Sequence, residues 1–131
     1  MKQLVSGADF TCGAKADGAV LCFGKVPGQA GVSRDPTRIV GLEATTLAAS
    51  TRSLCALVTP ELVACIGDNT EGGLVKGGPP RLVEPTPIPD LEKPIVSIGV
   101  ADDGVCALAE SGRVVCHGRG PRWEGLSLIH I

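Results

Sequence analysis

The sequence predicts an all-β protein assembled from repeated small antiparallel sheets, and three observations carry that expectation. The segment CGAKADGAVLC (Cys12 to Cys22) sets two cysteines nine residues apart, and the same spacing recurs in CALVTPELVAC (Cys55 to Cys65) and CALAESGRVVC (Cys106 to Cys116), 43 and then 51 residues further on. Eighteen glycines and ten prolines in 131 residues punctuate the chain too often for long helices. The apolar stretches are short, rich in Val and Ile, and cut by Gly or Pro, with no longer window at helical spacing. One internal spacing copied along a chain marks a repeat protein, in which a supersecondary unit stacks on its neighbours.

Each repeat begins with an aliphatic residue eight positions before its first cysteine, at Leu4, Leu47 and Ile98, which opens a strand ahead of the cysteine pair. The cysteine-bounded segment follows as a hairpin: Cys12 and Cys22 are symmetric about Asp17, so folding at Ala16-Asp17-Gly18 sets them opposite each other. A three-residue loop takes its last member in the left-handed region, where glycine has no Cβ to clash. Gly18 and Gly112 fit that place, whereas Thr59-Pro60-Glu61 keeps turn chemistry in Pro60 without the glycine, so its turn is expected to differ. Side chains alternate along strands, so Ala14, Val20, Leu57, Val63, Leu108 and Val114 share a face with the cysteines. The opposite face carries Gly13 with Leu21, Ala56 with Ala64, and Ala107 with Val115. Both faces are small and apolar, which suits a hairpin buried on two sides, as when small sheets pack face to face in a ring. A glycine stands two residues after each closing cysteine, at Gly24, Gly67 and Gly118, and leads into a glycine-rich loop. The motifs IVGL (Ile39 to Leu42) and IPDL (Ile88 to Leu91) occupy matching places in a proline-rich return segment, from which a fourth strand is expected.

Composition narrows the function classes. At 44% hydrophobic residues the chain is no disordered polymer, and with Phe10, Phe23 and Trp123 its only aromatics the core must be aliphatic. Twelve basic against 14 acidic residues, net charge -2, supply no field for phosphates; Arg113, Arg119 and Arg122 read as a solvated loop, and no nucleic acid is expected. No segment approaches the roughly 18 apolar residues of a bilayer span. The opening MKQLVSGADF has no apolar run after Lys2 and does not read as a signal peptide. The closing LSLIHI, residues 126–131, resembles an in-frame translation of a sequencing adapter; the competing reading is a short apolar terminal strand. On the adapter reading His130 and its neighbours stand outside the fold, and the chain is a fragment of a longer protein.

Disulfides within each hairpin are the first reading of the six cysteines, because opposed residues of a non-hydrogen-bonded antiparallel pair lie within bridging distance. Reduced cysteines serving as small core hydrophobes are the second. Zinc fits poorly, since structural sites draw ligands a few residues apart rather than across a nine-residue gap. Cys116 and His117 are adjacent strand residues on opposite faces and cannot act as nucleophile and base. Asp102-Asp103 reads as a solvated turn, and GDNTEGG (67–73) lacks the alternating carboxylates of a calcium loop. GRGPRWEG (118–125) has no Gly-Lys-Ser/Thr ending, and neither Gly-x-Ser-x-Gly nor His-Glu-x-x-His occurs. No catalytic, metal-binding or cofactor-binding residue is expected.

Several spaced features recur together: TCGAKADGAVLCFG with GQAG at 28–31, LCALVTPELVACIGDN with EGGL at 71–74, and VCALAESGRVVCHG. This text resembles the regulator of chromosome condensation repeat, and its cysteine-paired form resembles bacterial, exported members of that family. The resemblance covers nearly all of residues 1–125. It implies a seven-bladed β-propeller, of which this chain supplies an open arc of about two and a half blades of short antiparallel strands. Repeats are expected at 1–45 and 46–94, with a partial one at 95–125 and the remaining blades outside the chain. The copies depart from the family pattern. The tryptophan slot after the second cysteine holds Phe23, Ile66 and His117, and the glycine five residues before the first cysteine, kept at Gly7, becomes Ser50 and Ala101.

The resemblance further implies loops presented on two flat faces, where protein partners dock. The connecting loops are expected at Lys25 to Thr37, Asp68 to Pro85 and Arg119 to Gly125. Arg34, Asp35, Asp68, Asn69, Arg81 and Trp123 are the candidate interaction side chains. Trp123 leads because tryptophan and arginine are enriched at binding hot spots, with blade packing as its alternative. The expected function is that of a non-enzymatic protein-interaction or scaffold module in an exported or cell-surface bacterial protein, without cofactor. Two other readings are a regulator of an enzyme, whether nucleotide exchange on a small GTPase or inhibition of a β-lactamase, and a passive part of a larger enzyme. The cysteine reading is checked by thiol titration. Protein from an oxidising host, denatured without reductant, is expected to expose almost no reactive thiols; all six titrating would reject the bridges.

Overall fold

The structure is a computed structural model describing residues 3–29, 31–69, 74, 75, 78–89, 91–101, 104–118 and 128–130. Among these, twelve strands form three four-stranded antiparallel sheets. The first contains β1 (Gln3–Ser6), β2 (Phe10–Ala14), β3 (Ala19–Gly24) and β4 (Ser33–Glu43). The second contains β5 (Thr46–Ala49), β6 (Ser53–Thr59), β7 (Leu62–Asp68) and β8 (Arg81–Pro87). The third contains β9 (Ile95–Ala101), β10 (Gly104–Ala109), β11 (Arg113–Gly118) and β12 (Leu128–His130). Each sheet is a meander in which chain order is spatial order. Three such sheets stacked in an open, unclosed row make a partial β-propeller.

The central hairpins follow the symmetry of the cysteine spacing. Cys12 pairs with Cys22, Cys55 with Cys65 and Cys106 with Cys116, each in direct cross-strand register. All three pairs are disulfides, with Cα atoms 4.1 Å apart, the separation of a non-hydrogen-bonded antiparallel pair. No thiol remains for a metal or a nucleophile. The first turn is a three-residue loop: the Gly18 N–H donates to the Lys15 carbonyl at 3.0 Å, the Lys15 N–H donates to the Ala19 carbonyl at 2.9 Å, and Gly18 has φ 92°. Gly112 repeats this at φ 92°, donating to the Ala109 carbonyl at 2.9 Å. The middle turn differs, as the missing glycine required. Leu57 pairs with Val63 but Thr59 with Leu62, so a bulge absorbs one residue and only Pro60-Glu61 connect the strands. In the first turn the Ala19 N–H donates to Asp17 Oδ1 at 3.0 Å, and this bond holds the Asp17 carboxyl below the ordinary aspartate range. The bond is therefore intact at neutral pH and lost only as acid protonates the carboxylate.

Two cores lie between the three sheets, and each joins unlike faces. Cys12, Ala14, Val20 and Cys22, on the disulfide face of the first sheet, share one core with Leu47, Leu54, Ala56, Ala64 and Ile66, on the opposite face of the second. Cys55, Leu57, Val63 and Cys65 share the other with Val105 and Ala107 of the third, flanked by Ile98 and Val115. Ile39 and Leu42 of the first return segment enter the first core, and Ile88 and Leu91 of the second enter the second core, as their matching positions in the repeat foretell. The seam between the first two sheets is also hydrogen-bonded. The Gln3 side-chain amide donates to the Leu47 carbonyl at 3.1 Å and accepts from the Leu47 N–H at 2.7 Å.

Two expectations are revised. The connecting loops are shorter than expected, because β4 starts at Ser33 and β8 at Arg81; Arg34, Asp35 and Arg81 therefore belong to strands. Both are outer strands, where Pro36, Pro85 and Pro87 cost no interior ladder bond. Residues 128–130 form a short strand, β12. They pair with β11 through Arg113–His130, Val114–Ile129 and Val115–Leu128 and give the third sheet its fourth strand.

The second revision concerns Asn69, which is a core residue and not a surface candidate. It is 1% exposed. Its Nδ2 donates to the Val75 and Pro79 carbonyls, both at 2.9 Å, and its Oδ1 accepts from the Leu74 and Val75 N–H groups at 2.8 and 2.7 Å. One side chain thus satisfies four backbone groups of the β7–β8 connection, in place of the ladder that a loop lacks. Asn69→Ala is expected to destabilise the protein by about 2–3 kcal/mol, because buried backbone groups lose their partners. Urea unfolding under non-reducing conditions measures it, and a shift no larger than that of an exposed alanine substitution would contradict this role.

Candidate functional site

Connections between strands emerge at two ends of the stacked sheets. The tight hairpin turns lie at one end and the longer β3–β4 and β7–β8 connections at the other. At the second end the first two sheets enclose an open cleft of about 470 Å³. Phe10, Val26 and Pro27 give it an apolar floor, all three buried. Asp9, Lys25, Arg52, Asp68 and Arg81 contribute charge of both signs to its walls. The Ala8 N–H donates to the Thr51 carbonyl at 3.1 Å across the seam, and Arg81 Nη2 donates to the Gln29 carbonyl at 2.6 Å, tying the β3–β4 connection to the second sheet. Loops held this way by a rigid scaffold are where binding residues concentrate.

The candidate residues separate into four groups. Asp68, the last residue of β7, and Arg81, the first of β8, stand opposite each other in register and both line the cleft. Arg34 and Asp35 are exposed near the start of β4, at the same end of the stack, on the outer strand rather than in the cleft. Asn69 is buried beneath this surface. Trp123 lies outside the described residues, as do Asp102 and Asp103.

Asp9, Lys25 and Arg52 were not singled out in the sequence, although the repeat frame marks their positions. A charged residue stands three places before each first cysteine, at Asp9, Arg52 and Asp103, and three places after each second one, at Lys25, Asp68 and Arg119. The sign reverses from one repeat to the next at both positions. In the first two sheets these residues meet at the hairpin's open end: the Lys25 N–H donates to the Asp9 carbonyl at 2.7 Å and the Asp68 N–H to the Arg52 carbonyl at 3.1 Å. Each of these two hairpins therefore ends in one acidic and one basic residue, set side by side by the strand register.

No protein-family model matches the chain, and no curated protein matches it. Solved structures do. Human WBSCR16 superposes with a TM-score of 0.75 at 17% identity, over 90% of this chain and 33% of its own. Prp20p from Saccharomyces cerevisiae superposes at 0.71 and 18% identity, over 92% of this chain and 34% of its own. The ectodomain of the Physcomitrella patens receptor kinase CR4 superposes at 0.57 and 25% identity, over 88% and 29%. The fold is therefore that of the chromosome-condensation-regulator type of β-propeller, and the chain spans about a third of the length of these structures.

The cleft depends on close backbone approach at Gly67, which lines it. Gly67 has φ 114°, and a Cβ there would stand 2.3 Å from the Arg52 carbonyl oxygen and 2.9 Å from Pro27 Cβ. Gly67→Ala is expected to cost roughly 1–2 kcal/mol from backbone conformation alone, with the clash added. Thermal melting measures the loss, and an unchanged melting temperature would show that the two walls are not held this close.

Proposed function

We propose that this chain is a non-enzymatic protein-interaction module whose docking surface is the loop end of the first two sheets. One observation carries the reading: a cleft with an apolar floor and walls of mixed charge is built jointly by two sheets that disulfides and a shared core hold rigid. An apolar centre with a polar rim is the anatomy of a protein-binding patch. Nearly balanced charge fits a protein partner better than nucleic acid. The propeller fold supports the same reading, since the solved Prp20p structure is described together with its binding to Gsp1p and histones. Among the described residues no helix is long and apolar enough to cross a membrane.

The wider context belongs to the same proposal. Three disulfides suit an oxidising compartment, and the similarity to a receptor-kinase ectodomain agrees with an extracellular or cell-surface setting. We assign the chain to an exported bacterial protein in which repeats 1–45, 46–94 and 95–125 form part of a larger propeller, residues 126–131 being of adapter origin. Arg34, Asp35, Asp68 and Arg81 form the working surface, with Trp123 added from the third repeat.

The paired substitution Arg34→Glu with Asp35→Lys is the first test, because both side chains are exposed on an outer strand and neither supports a core. Retention of a protein partner from the exported fraction of a bacterial host is expected to fall roughly tenfold while thermal melting stays unchanged. Unchanged retention would remove these residues from the surface. Acceleration of nucleotide release from a small GTPase, or inhibition of a β-lactamase, would instead favour the regulator reading.

A further inference from the structure

The cleft between the first two sheets carries both signs of charge, but it does not show them equally to solvent. Lys25, Arg52 and Arg81 line it and are exposed. Of its two carboxylates only Asp9 is exposed, since Asp68 is half-buried and engaged within the chain. Among the described residues neither Lys25 nor Arg52 forms an ion pair. Arg81 uses Nη2 on the Gln29 carbonyl, and a guanidinium carries several N–H donors, so others remain for a ligand. The turn end of the stack has the opposite balance. Asp17, Glu43, Glu61 and Glu110 are exposed there against Lys15 and Lys93, while Arg113 is paired with Glu92. A chain of net charge -2 thus gathers exposed positive charge around its cleft.

We propose that this cleft takes a linear acidic segment of a partner protein, an inference that rests on the cleft's docking role. Carboxylates of the segment meet Lys25, Arg52 and Arg81, and an apolar side chain beside them sits on the floor. Charge complementarity selects the sign. A carboxylate forms charge-assisted bonds with these cations, while a basic segment meets three like charges and one exposed carboxylate. Shape selects the form. Phe10, Val26 and Pro27 lie at the bottom, each buried, so a flat folded surface spans the mouth without reaching them. A space of about 470 Å³ instead accepts a few residues of extended chain. Because Arg81 is already bonded to the opposite wall at Gln29, its guanidinium is placed before a ligand arrives, which lowers the cost of ordering it. Arginine clusters recognise acidic motifs by the same means.

Panning a random linear-peptide library on the oxidised full chain supplies the test. Sequences with several carboxylates around an apolar residue are expected to be enriched. A fluorescent peptide made from the commonest of them is expected to bind more weakly as sodium chloride rises. Lys25→Gln with Arg52→Gln is expected to weaken that peptide roughly tenfold or more. Both side chains are exposed, so the melting temperature stays unchanged. The control pair Lys15→Gln with Lys93→Gln removes the same charge from the turn end and is expected to leave affinity within about twofold. Equal losses in the two pairs would overturn the proposal, since overall charge and not the cleft would then govern binding. Neutral or basic sequences that bind wild type but not Arg52→Trp, which crowds the cleft, would keep the docking surface and overturn its acidic preference. Sequences that bind wild type and Arg52→Trp alike, or no enrichment at all, would remove the docking surface itself. Random single-stranded DNA that displaces the selected peptide at equal concentration would replace a protein segment by nucleic acid and overturn the proposal as well.

Discussion

The middle sheet of this protein buries both its faces and each outer sheet buries one, and the central hairpins offer mainly aliphatic side chains and a disulfide with which to do it. Of the chain's three aromatic residues only Phe10 enters a core among the described residues, so the seams between sheets are filled almost entirely by aliphatic side chains. Ala56 and Ala64 let the backbone of the second sheet approach the disulfide face of the first, and Ala107 does the same for the third sheet against the second. Small residues bring sheets close, but each buries little apolar surface. The disulfides offset that weakness. Each closes a loop of ten-residue separation, and by the chain-entropy argument contributes about 2–3 kcal/mol by restricting the unfolded chain. The bridge is also itself a buried hydrophobic object, facing the alanines of the next sheet.

This arrangement explains why the site belongs to two sheets at once. A single four-stranded sheet has no cleft; the space bounded by Phe10, Val26, Pro27 and Gly67 exists only where neighbouring hairpins are held face to face. Asn69 fixes the loop beside it and Gln3 bonds the innermost strands of the two sheets. The geometry of the cleft is thus set by core contacts and loop hydrogen bonds rather than by the residues that line it, as expected where loops ride on a rigid scaffold.

Much of this was legible in the residues. Symmetry of the cysteine spacing located the hairpins, and Gly18 and Gly112 marked the two like turns. Leu4, Leu47 and Ile98 marked the leading strands, all three at the same register in their sheets. These signals are local and repeat, so a single chain displays them three times. What escaped was decided at longer range. A polar residue in a glycine-rich loop reads as surface, yet Asn69 is buried with its side chain bonded to the Leu74, Val75 and Pro79 backbone. The start of β4 and β8 was hidden because Pro36 and Pro85 argue against strand unless the strand is known to be an outer one. Leu128–His130 carries too little pattern in three residues to declare a strand, and pairing with β11 supplies what its sequence does not.

The positions where the repeats agree and where they differ divide the labour between fold and function. At the two strand positions that follow each first cysteine and the two that precede each second one, the changes are among Gly, Ala, Val and Leu, so both faces stay apolar there in every copy. Immediately outside the cysteine frame, at the residues three before and three after the pair, every copy is charged and the sign alternates: Asp9 with Lys25, Arg52 with Asp68, Asp103 with Arg119. The open end of a hairpin projects beyond the sheet seams, so its side chains change without altering core volume. In the first two copies the register that brings the cysteines together also sets these opposite charges at adjacent strand ends, which limits repulsion within each pair. The disulfide faces that hold the sheets in line, by contrast, stay apolar in every copy.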